Sequence, residues 1–182
     1  MNPSRRRFLG AGLQLAAGSA AMGLGIDAMA GEPAGGGGAD TVYKVYPIGR
    51  VEKKDGAAAV RVFEKYVPGL KGLDGWSHVD VFYWFDRNDT PQQRSVLQVH
   101  PRGKQSNPLT GVFACRSPVR PNLIALSVCK ILGIEGNVLK LADIDAFDGT
   151  PVLDLKPFIP PDEPRQGVKV PDWARGGPGR GR

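Results

Sequence analysis

The sequence lacks the marks of several large functional classes. No run of about eighteen uninterrupted apolar residues occurs in the 182 residues, which excludes a protein with several membrane spans. The chain also contains no Gly-x-Ser-x-Gly, no Walker phosphate loop, no dinucleotide-binding glycine pattern and no His-Glu-x-x-His. Hydrolases, nucleoside triphosphatases, dehydrogenases and zinc proteases therefore lose their usual sequence support.

Cysteine and histidine are scarce, with two of each. Cys115 and Cys129 form no Cys-x-x-Cys pair, and His78 and His100 are not part of a ligand cluster, so we predict no metal site. We expect two buried thiols, although export to an oxidising compartment would allow a disulfide. Both histidines are expected to be structural groups rather than bases.

The body of the chain also lacks an excess of charge of one sign. The net charge is +6, but residues 40–164 carry 16 basic and 15 acidic residues, a net of +1. The excess of basic residues lies at the two ends. Charge alone therefore does not predict a nucleic-acid-binding surface on the body, although it leaves room for a local patch.

The N-terminus has the pattern of an export signal. Ser4-Arg5-Arg6-Arg7-Phe8-Leu9 matches a twin-arginine motif, a weakly apolar run follows over 11–26, and Ala28-Met29-Ala30 is a small-x-small cleavage site. Residues 1–30 are therefore predicted to be a twin-arginine signal peptide, with a periplasmic or extracytoplasmic destination and no stable membrane insertion after cleavage. The alternative is a flexible or amphipathic N-terminal segment, with the protein in the cytoplasm.

The rest of the chain divides into a linker, a β-rich body and a tail. Residues 31–40 contain four consecutive glycines and are predicted to be a linker. Short segments of period-two or apolar β-branched character predict strands at 41–51, 58–66, 77–85, 95–100, 111–115, 124–134, 138–144 and 151–155. Glu135-Gly136-Asn137 is a hairpin signal. This pattern indicates an all-β barrel or sandwich with one small helix at most, over 41–163.

The last segment, residues 164–182, is basic and poor in apolar residues. We expect a disordered tail. Such a tail is able to contact anionic polymers or lipid surfaces, and a simple solvated terminus is the alternative.

One loop carries two arginines in a stiff setting. Arg116 and Arg120 lie four residues apart in a loop that Pro118 and Pro121 stiffen, and Asn122 follows. Guanidinium groups on a rigid loop suit a carboxylate or a phosphate, because they bind it with two parallel hydrogen bonds. The alternative is a loop whose arginines pair with acids of the same domain.

An acidic cluster follows the predicted strand at 138–144. Strand alternation places Asp143 and Asp145 on one face, away from Ile144, and Asp148 precedes a glycine. Such carboxylates can hold ribose hydroxyls or an amino group. The alternative is ordinary turn chemistry at Asp148-Gly149.

Several spaced motifs point to a known family. They occur in this order: Ile48-Gly49-Arg50-Val51, Gly69-Leu70-Lys71-Gly72-Leu73, Trp76-Ser77-His78, Val99-His100-Pro101-Arg102, Gly111-Val112-Phe113-Ala114-Cys115-Arg116-Ser117-Pro118, Arg120-Pro121-Asn122 and Asp148-Gly149-Thr150-Pro151-Val152-Leu153-Asp154-Leu155-Lys156-Pro157. Together they resemble the TsaA-like (TrmO) family over roughly residues 45–160.

The resemblance implies a mainly β protein, a small closed or partly open β-barrel with at most one or two short helices. It implies a homodimer that binds S-adenosyl-L-methionine and methylates N6 of a threonylcarbamoyl-adenosine beside a tRNA anticodon. Matched residue by residue, it suggests cofactor contacts at Phe85, Asp86, Arg116, Leu126, Ala142, Asp143, Ile144 and Asp145. Arg120 and Asn122 are expected to face substrate, and the resemblance assigns no catalytic residue.

Two departures from the family pattern are visible. Longer members carry a cofactor-contacting Pro-Arg-Gln element between Val51 and Tyr66, where this chain has Lys53-Lys54-Asp55-Gly56 and three alanines. The usual Arg-Pro-Asn-Pro-Ile-Gly ends here as Leu123-Ile124-Ala125. Three hypotheses follow: a methyltransferase, with tRNA as partner if the protein is cytoplasmic; an exported, non-catalytic binding module; and an interaction protein that works through its Arg-Gly tail.

Overall fold

The computed structural model describes residues 41–161 and 166–175. The chain divides into Met1–Val42, of which only residues 41 and 42 are described, and Tyr43–Arg182. The predicted signal peptide (1–30) and linker (31–40) lie outside the described residues and stay predictions. Within the described ranges, no helix is long and apolar enough to cross a membrane.

Strands dominate the described structure. They are β1 (Gly49–Lys54), β2 (Ala57–Val62), β3 (His78–Trp84), β4 (Gln98–Val99), β5 (Thr110–Gly111), β6 (Ile124–Glu135), β7 (Val138–Leu141) and β8 (Pro151–Pro157). A single short α-helix, α1 (Pro91–Arg94), occurs in the described ranges. Short 3₁₀ helices cover Glu64–Leu70, Leu73–Gly75, Asp86–Asn88, Pro101–Gly103, Val112–Ala114 and Asp172–Ala174.

Six strands close into an antiparallel barrel in the order β1-β2-β7-β6-β3-β8, and β8 pairs again with β1. The strands β4 and β5 form a separate two-stranded sheet. The prediction of a mainly β, closed barrel with little helix is therefore confirmed. The hairpin predicted at Glu135-Gly136-Asn137 joins β6 to β7, with Glu135 paired to Val138 and Gly136 at a φ of 58°.

The barrel interior is filled by alternate strand residues. In β3 every second side chain is buried, and the intervening ones are partly covered, so both faces of this strand are shielded. The buried set is chiefly valine and leucine: Val51, Val60, Val62, Val79, Val81, Leu139, Leu141 and Val152. Each such side chain contributes about 1.5–3 kcal/mol when it is fully buried.

The seam between β1 and β8 is short and depends on a glycine. The pairing consists of two residue pairs, Gly49 with Val152 and Arg50 with Pro151. A Cβ on Gly49 would lie 2.4 Å from the carbonyl oxygen of Arg61 on the neighbouring strand. A side chain there would push β1 away from β2, so the residue that begins β1 beside this seam has to be glycine.

Some predicted strands are shorter than expected. The prediction of a strand over 111–115 is wrong beyond residue 111, because the chain turns into the 3₁₀ helix Val112–Ala114. The Arg120 guanidinium donates to the Val112 carbonyl oxygen at 3.3 Å, so a side chain takes the place of a ladder partner. The strand predicted at 138–144 ends at Leu141, and the Ile144 amide donates instead to Asp143 Oδ1 at 2.8 Å.

Part of the predicted tail is described. Residues 166–175 are mostly exposed and include the turn Asp172–Ala174. Arg175 and Asp172 form an ion pair at 3.3 Å, which is exposed and contributes little to stability. The disorder predicted for 164–182 stays a prediction.

Candidate functional site

A cavity of about 460 Å³ lies where β3 ends, against the segment that follows β7. Three carboxylates line it: Asp86, Asp145 and Asp148. Three cations line it: Lys53, Arg87 and Arg116. Its apolar wall is aromatic and consists of Tyr83, Trp84, Phe85 and Phe147. The cavity is therefore suited to a ligand that carries both charges and a flat ring.

The acidic segment, residues 142–150, is held along β1 by the backbone. The Val51 amide donates to the Thr150 carbonyl at 2.9 Å, and the Gly149 amide donates back to the Val51 carbonyl at 2.9 Å. The Lys53 amide donates to Asp148 Oδ1 at 2.8 Å. The positions of these carboxylates are thus fixed by hydrogen bonds to a barrel strand rather than by a free turn.

Alternation within this segment occurs as predicted, but the two aspartates do not meet. Ile144 is buried in the core, while Asp143 and Asp145 are exposed. Asp145 lines the main cavity, and Asp143 lines a second, open depression of about 340 Å³ at the tip of the β1–β2 hairpin. Lys53 lines both, with its Nζ 3.8 Å from Asp143 and donating to the Ile144 carbonyl at 2.5 Å.

The two guanidinium groups of the arginine loop, residues 115–122, lie in different places. Arg116 and Pro118 line the main cavity. Arg120 donates to the flank of the loop at Val112 and is not among the lining residues, and the exposed Asn122 is not among them either. Within residues 41–161 and 166–175, no ion pair joins Arg116 or Arg120 to a carboxylate. The alternative that these arginines pair with acids of this domain is not observed there.

The structure brings together only part of the predicted site. Phe85, Asp86, Arg116 and Asp145 share the main cavity. The other predicted contacts lie outside it: Leu126, Ala142, Asp143, Ile144, Arg120 and Asn122. Leu126 lies on the outward face of β6.

The two histidines lie elsewhere. His78 Nδ1 lies 2.9 Å from Ser77 Oγ, and its ring packs edge-on against Phe158. His100 Nδ1 lies 2.8 Å from the Asn107 carbonyl. Neither residue lines the cavity, which fits the structural roles expected for both.

The remaining reactive groups are the cysteine thiols and the side chains that could hold a metal ion. Both thiols are unbridged, with Cys129 buried and Cys115 only half-buried. Burial raises the pKa of Cys129 to about 12, so this thiol stays protonated and is a poor nucleophile. Among the described residues, no group of His, Cys, Asp and Glu is placed to hold a metal ion.

Comparison with known proteins assigns the fold to a family. The sequence model of the tRNA-methyltransferase O N-terminal domain matches residues 43–162. The chain belongs to this family. The matched region contains the whole barrel and every residue that lines the main cavity.

Two relatives are similar over about three fifths of this chain. A Methanocaldococcus jannaschii protein named "Probable S-adenosyl-L-methionine-binding protein" is 43% identical over 117 residues, which are 64% of this chain and 93% of that protein. The human tRNA (adenine(37)-N6)-methyltransferase is 39% identical over 111 residues, 61% of this chain and 24% of that protein.

A solved structure of TrmO from Pseudomonas aeruginosa is 27% identical, with a TM-score of 0.55. The match covers 73% of this chain and 62% of that chain. The chain therefore spans somewhat less than two thirds of the length of the solved protein.

Tyr83 is a site residue of this family member that sequence reasoning missed. The register between β3 and β8 shifts between Phe82 and Tyr83, and such bulges commonly re-aim a side chain near a functional site. The buried Tyr83 hydroxyl donates to the Asp145 carbonyl and lies 3.2 Å from Ser127 Oγ. A hydroxyl on the inward face of a strand needs hydrogen-bond partners. A tyrosine at such a position of the predicted strand was therefore the signal in the sequence that could have identified Tyr83.

Sequence reasoning also missed four other residues that line the cavity: Lys53, Arg87, Phe147 and Thr150. Arg87 stacks on the Phe147 ring at 4.0 Å, and Thr150 Oγ1 donates to Asp86 Oδ1 at 3.5 Å. These contacts join the end of β3 to the acidic segment across the cavity. No local pattern in the sequence pairs residues so far apart.

We expect Tyr83→Phe to lower the free energy of unfolding by about 1–2 kcal/mol, because the Asp145 carbonyl loses its donor. Thermal or urea unfolding measures the change, with the exposed Tyr46→Phe as control. Equal stability of the two variants would contradict the role given to this hydroxyl.

The effect of Tyr83→Phe on the free energy of unfolding should depend on pH. Burial raises the pKa of Tyr83, the nearby Asp145 adds to the rise, and the Ser127 bond and Arg116 oppose it. The stabilisation from the neutral phenol is complete below the ordinary pKa of about 10 and is lost as pH rises through the folded-state value. The stability difference between the parent protein and Tyr83→Phe should therefore shrink above a pH of about 10.

Proposed function

We propose that this protein binds S-adenosyl-L-methionine in the main cavity and is a methyltransferase. The single observation that carries the proposal is the convergence of Arg116, Asp86 and Asp145 with an aromatic wall on one cavity of about 460 Å³. Relatives named as S-adenosyl-L-methionine-binding proteins and tRNA methyltransferases support it.

The lining residues match the parts of an amino-acid-bearing nucleoside. Arg116 suits the carboxylate, since no acid of the described residues forms an ion pair with it. Asp86 and Asp145 suit the amino group and the ribose hydroxyls. Phe85, which packs edge-on against Tyr83 at 5.8 Å, offers a fixed surface for the adenine ring.

When bound, S-adenosyl-L-methionine supplies a methyl group on a sulfonium, which an acceptor takes up by in-line displacement. The protein's contribution is chiefly alignment, which can supply much of the rate when the reacting atoms are held in position. The hydrogen bonds from β1 to the acidic segment and from Tyr83 to Asp145 give the cavity that rigidity. By analogy with its relatives, we propose an adenine of tRNA as acceptor.

Isothermal titration of the protein with S-adenosyl-L-methionine tests the proposal. We expect binding, and a loss of about 10- to 100-fold in affinity for Arg116→Ala, because a charge-assisted hydrogen-bond pair is removed. Arg120→Ala, on the same loop but outside the cavity, should change the affinity little. Absence of heat and of a thermal shift at millimolar ligand would end the proposal.

We further propose that the protein is a homodimer whose contact surface is the outward face of β3 and β6. Ile124, Leu126 and Val128 are exposed in a row on this face. Asp80 Oδ1, on the same face of β3, is buried and has no hydrogen-bond partner among the described residues. A partner subunit would cover the apolar row and offer a donor to this oxygen. Leu126 would then lie near the main cavity of the partner subunit.

We expect Val128→Asp to yield a monomer in sedimentation velocity, because it buries a charge in the contact. Leu132→Asp is the matched control, since Leu132 is exposed on the same strand beyond the part that pairs with β3. A monomeric parent protein at micromolar concentration would refute the dimer, and equal behaviour of the two variants would refute this face as its contact surface.

A second candidate function is an exported binding module that reuses the barrel without catalysis. The motif Ser4-Arg5-Arg6-Arg7-Phe8-Leu9 favours it, together with the short β1–β2 connection at Lys54–Ala57 in place of the Pro-Arg-Gln element. It places the protein in the periplasm, away from tRNA.

Fractionation of a C-terminally tagged chain separates the two candidates. Export predicts a periplasmic protein shortened by cleavage after Ala30 and a cytosolic precursor when Arg5 and Arg6 are replaced by Lys. An uncleaved protein confined to the cytosol would count against the exported module and leave tRNA accessible.

A further inference from the structure

Arg94, the last residue of α1, is not among the residues that line the main cavity, but it contacts two elements that do. Arg94 Nη1 donates to the carbonyl oxygen of Pro121, in the arginine loop, at 3.0 Å. The same guanidinium group lies 5.2 Å from the centre of the Trp84 ring, at the end of β3. Because Arg116 lines the cavity from the loop and Trp84 lines it from β3, Arg94 joins two of its lining elements.

Asp89 completes the connection between Arg94 and Trp84. Arg94 Nε donates to Asp89 Oδ1 at 2.7 Å, and Trp84 Nε1 donates to Asp89 Oδ2 at 3.0 Å. These hydrogen bonds, chiefly the one from Arg94, lower the pKa of Asp89, so its carboxylate stays ionised at neutral pH. The three side chains, with the Pro121 carbonyl, form a clamp.

The local sequence fixes the backbone from which Arg94 extends. Thr90 caps α1, since its hydroxyl oxygen accepts from the Gln93 amide at 3.2 Å, and Pro91 occupies the first turn. The Arg94 amide donates to the Thr90 carbonyl at 2.9 Å. A capped turn that begins with proline has little backbone freedom, so the guanidinium group of Arg94 starts from a defined place.

The arginine loop is irregular in structure and is held by side chains near its C-terminal end. Arg120 donates to the Val112 carbonyl at 3.3 Å, and Arg94 holds the Pro121 carbonyl. The loop then leads into Leu123, which is completely buried and has a φ of 46°. A left-handed backbone is unfavourable for leucine and persists only where surrounding contacts enforce it. The bond from Arg94, two residues earlier, is one such contact.

We propose that Arg94 is a positioning residue that holds the arginine loop against the end of β3, so that Arg116 faces the carboxylate of the ligand in the main cavity. A guanidinium group binds a carboxylate with two parallel hydrogen bonds only when the two planes are aligned, so the position of the loop matters. This inference rests on the function proposed above.

The geometry of the clamp requires arginine at position 94. Nε and Nη1 donate to Asp89 and to Pro121 at the same time, whereas lysine has one terminal nitrogen and cannot hold both partners in this way. The side chains of Arg94 and Asp89 are 37% and 40% exposed, and ion pairs of that exposure contribute little to stability. The clamp should therefore affect the site more than the free energy of unfolding.

Isothermal titration of the full chain with S-adenosyl-L-methionine tests this role. We expect Arg94→Ala and Arg94→Lys each to weaken binding about threefold to tenfold. In a protein that already carries Arg116→Ala, Arg94→Ala should weaken binding less than about twofold, because the group that it positions is gone. A general structural effect would instead give the same loss in both backgrounds, and that result would overturn the proposal.

Arg61→Ala is the matched control. Arg61 is also exposed and forms an ion pair with Glu52, but it lines neither cavity. We expect parent-like affinity for this variant, and thermal unfolding shows that each variant is folded. Parent-like affinity of Arg94→Ala would overturn the proposal, and so would parent-like affinity of Arg94→Lys, since the charge alone would then suffice.

Hydrogen exchange of the ligand-free protein separates this inference from the proposed function. We expect Arg94→Ala to speed exchange of the amides of residues 115–123 about threefold or more, and Arg61→Ala to leave it unchanged. If the parent protein binds no S-adenosyl-L-methionine, the proposed function is refuted and exchange alone decides the clamp. Faster exchange in Arg94→Ala then supports the anchoring of the loop, and unchanged exchange overturns it.

Discussion

The site depends on the hydrogen bonds that hold the acidic segment, residues 142–150, against β1. Two backbone bonds between Val51 and the pair Gly149 and Thr150, each 2.9 Å long, extend the pairing of β1 with β8 to the residues just before β8. The Tyr83 hydroxyl holds the same segment at the Asp145 carbonyl from the barrel interior. Because the segment is fixed on both sides, its carboxylates form one wall of a cavity whose other wall is the end of β3.

Charges are used differently on the surface and in the cavity. The pairs Glu52–Arg61 and Asp154–Lys156 are exposed, and such pairs contribute little to stability. Arg116 faces the cavity without an ion pair among the described residues. A domain that is nearly neutral overall therefore presents a cation to the ligand in this cavity, which is the electrostatic basis of the proposed function.

Sequence patterns located the long strands well and the short elements poorly. The segment predicted at 77–85 is β3, and the hairpin at Glu135-Gly136-Asn137 forms as predicted, because alternation and turn chemistry are local properties. The strand predicted at 111–115 failed because Arg120, nine residues after Gly111, binds the Val112 carbonyl. The site was partly predicted: Phe85, Asp86, Arg116 and Asp145 converge, while Lys53 and Tyr83 gave no motif.

The amino-acid sequence by itself determined the strand periodicity, the mainly β class and, through the order of its motifs, the family. These features arise from neighbours within a few positions or from spacing along the chain. Only the tertiary structure decided which charged groups share a cavity: Arg116 and Asp145 line the same cavity, Asp143 lies at the hairpin tip, and Arg120 donates to the Val112 carbonyl. The reason is that the cavity is formed by barrel closure, which brings β1, the end of β3 and residues 145–150 together across large sequence separations.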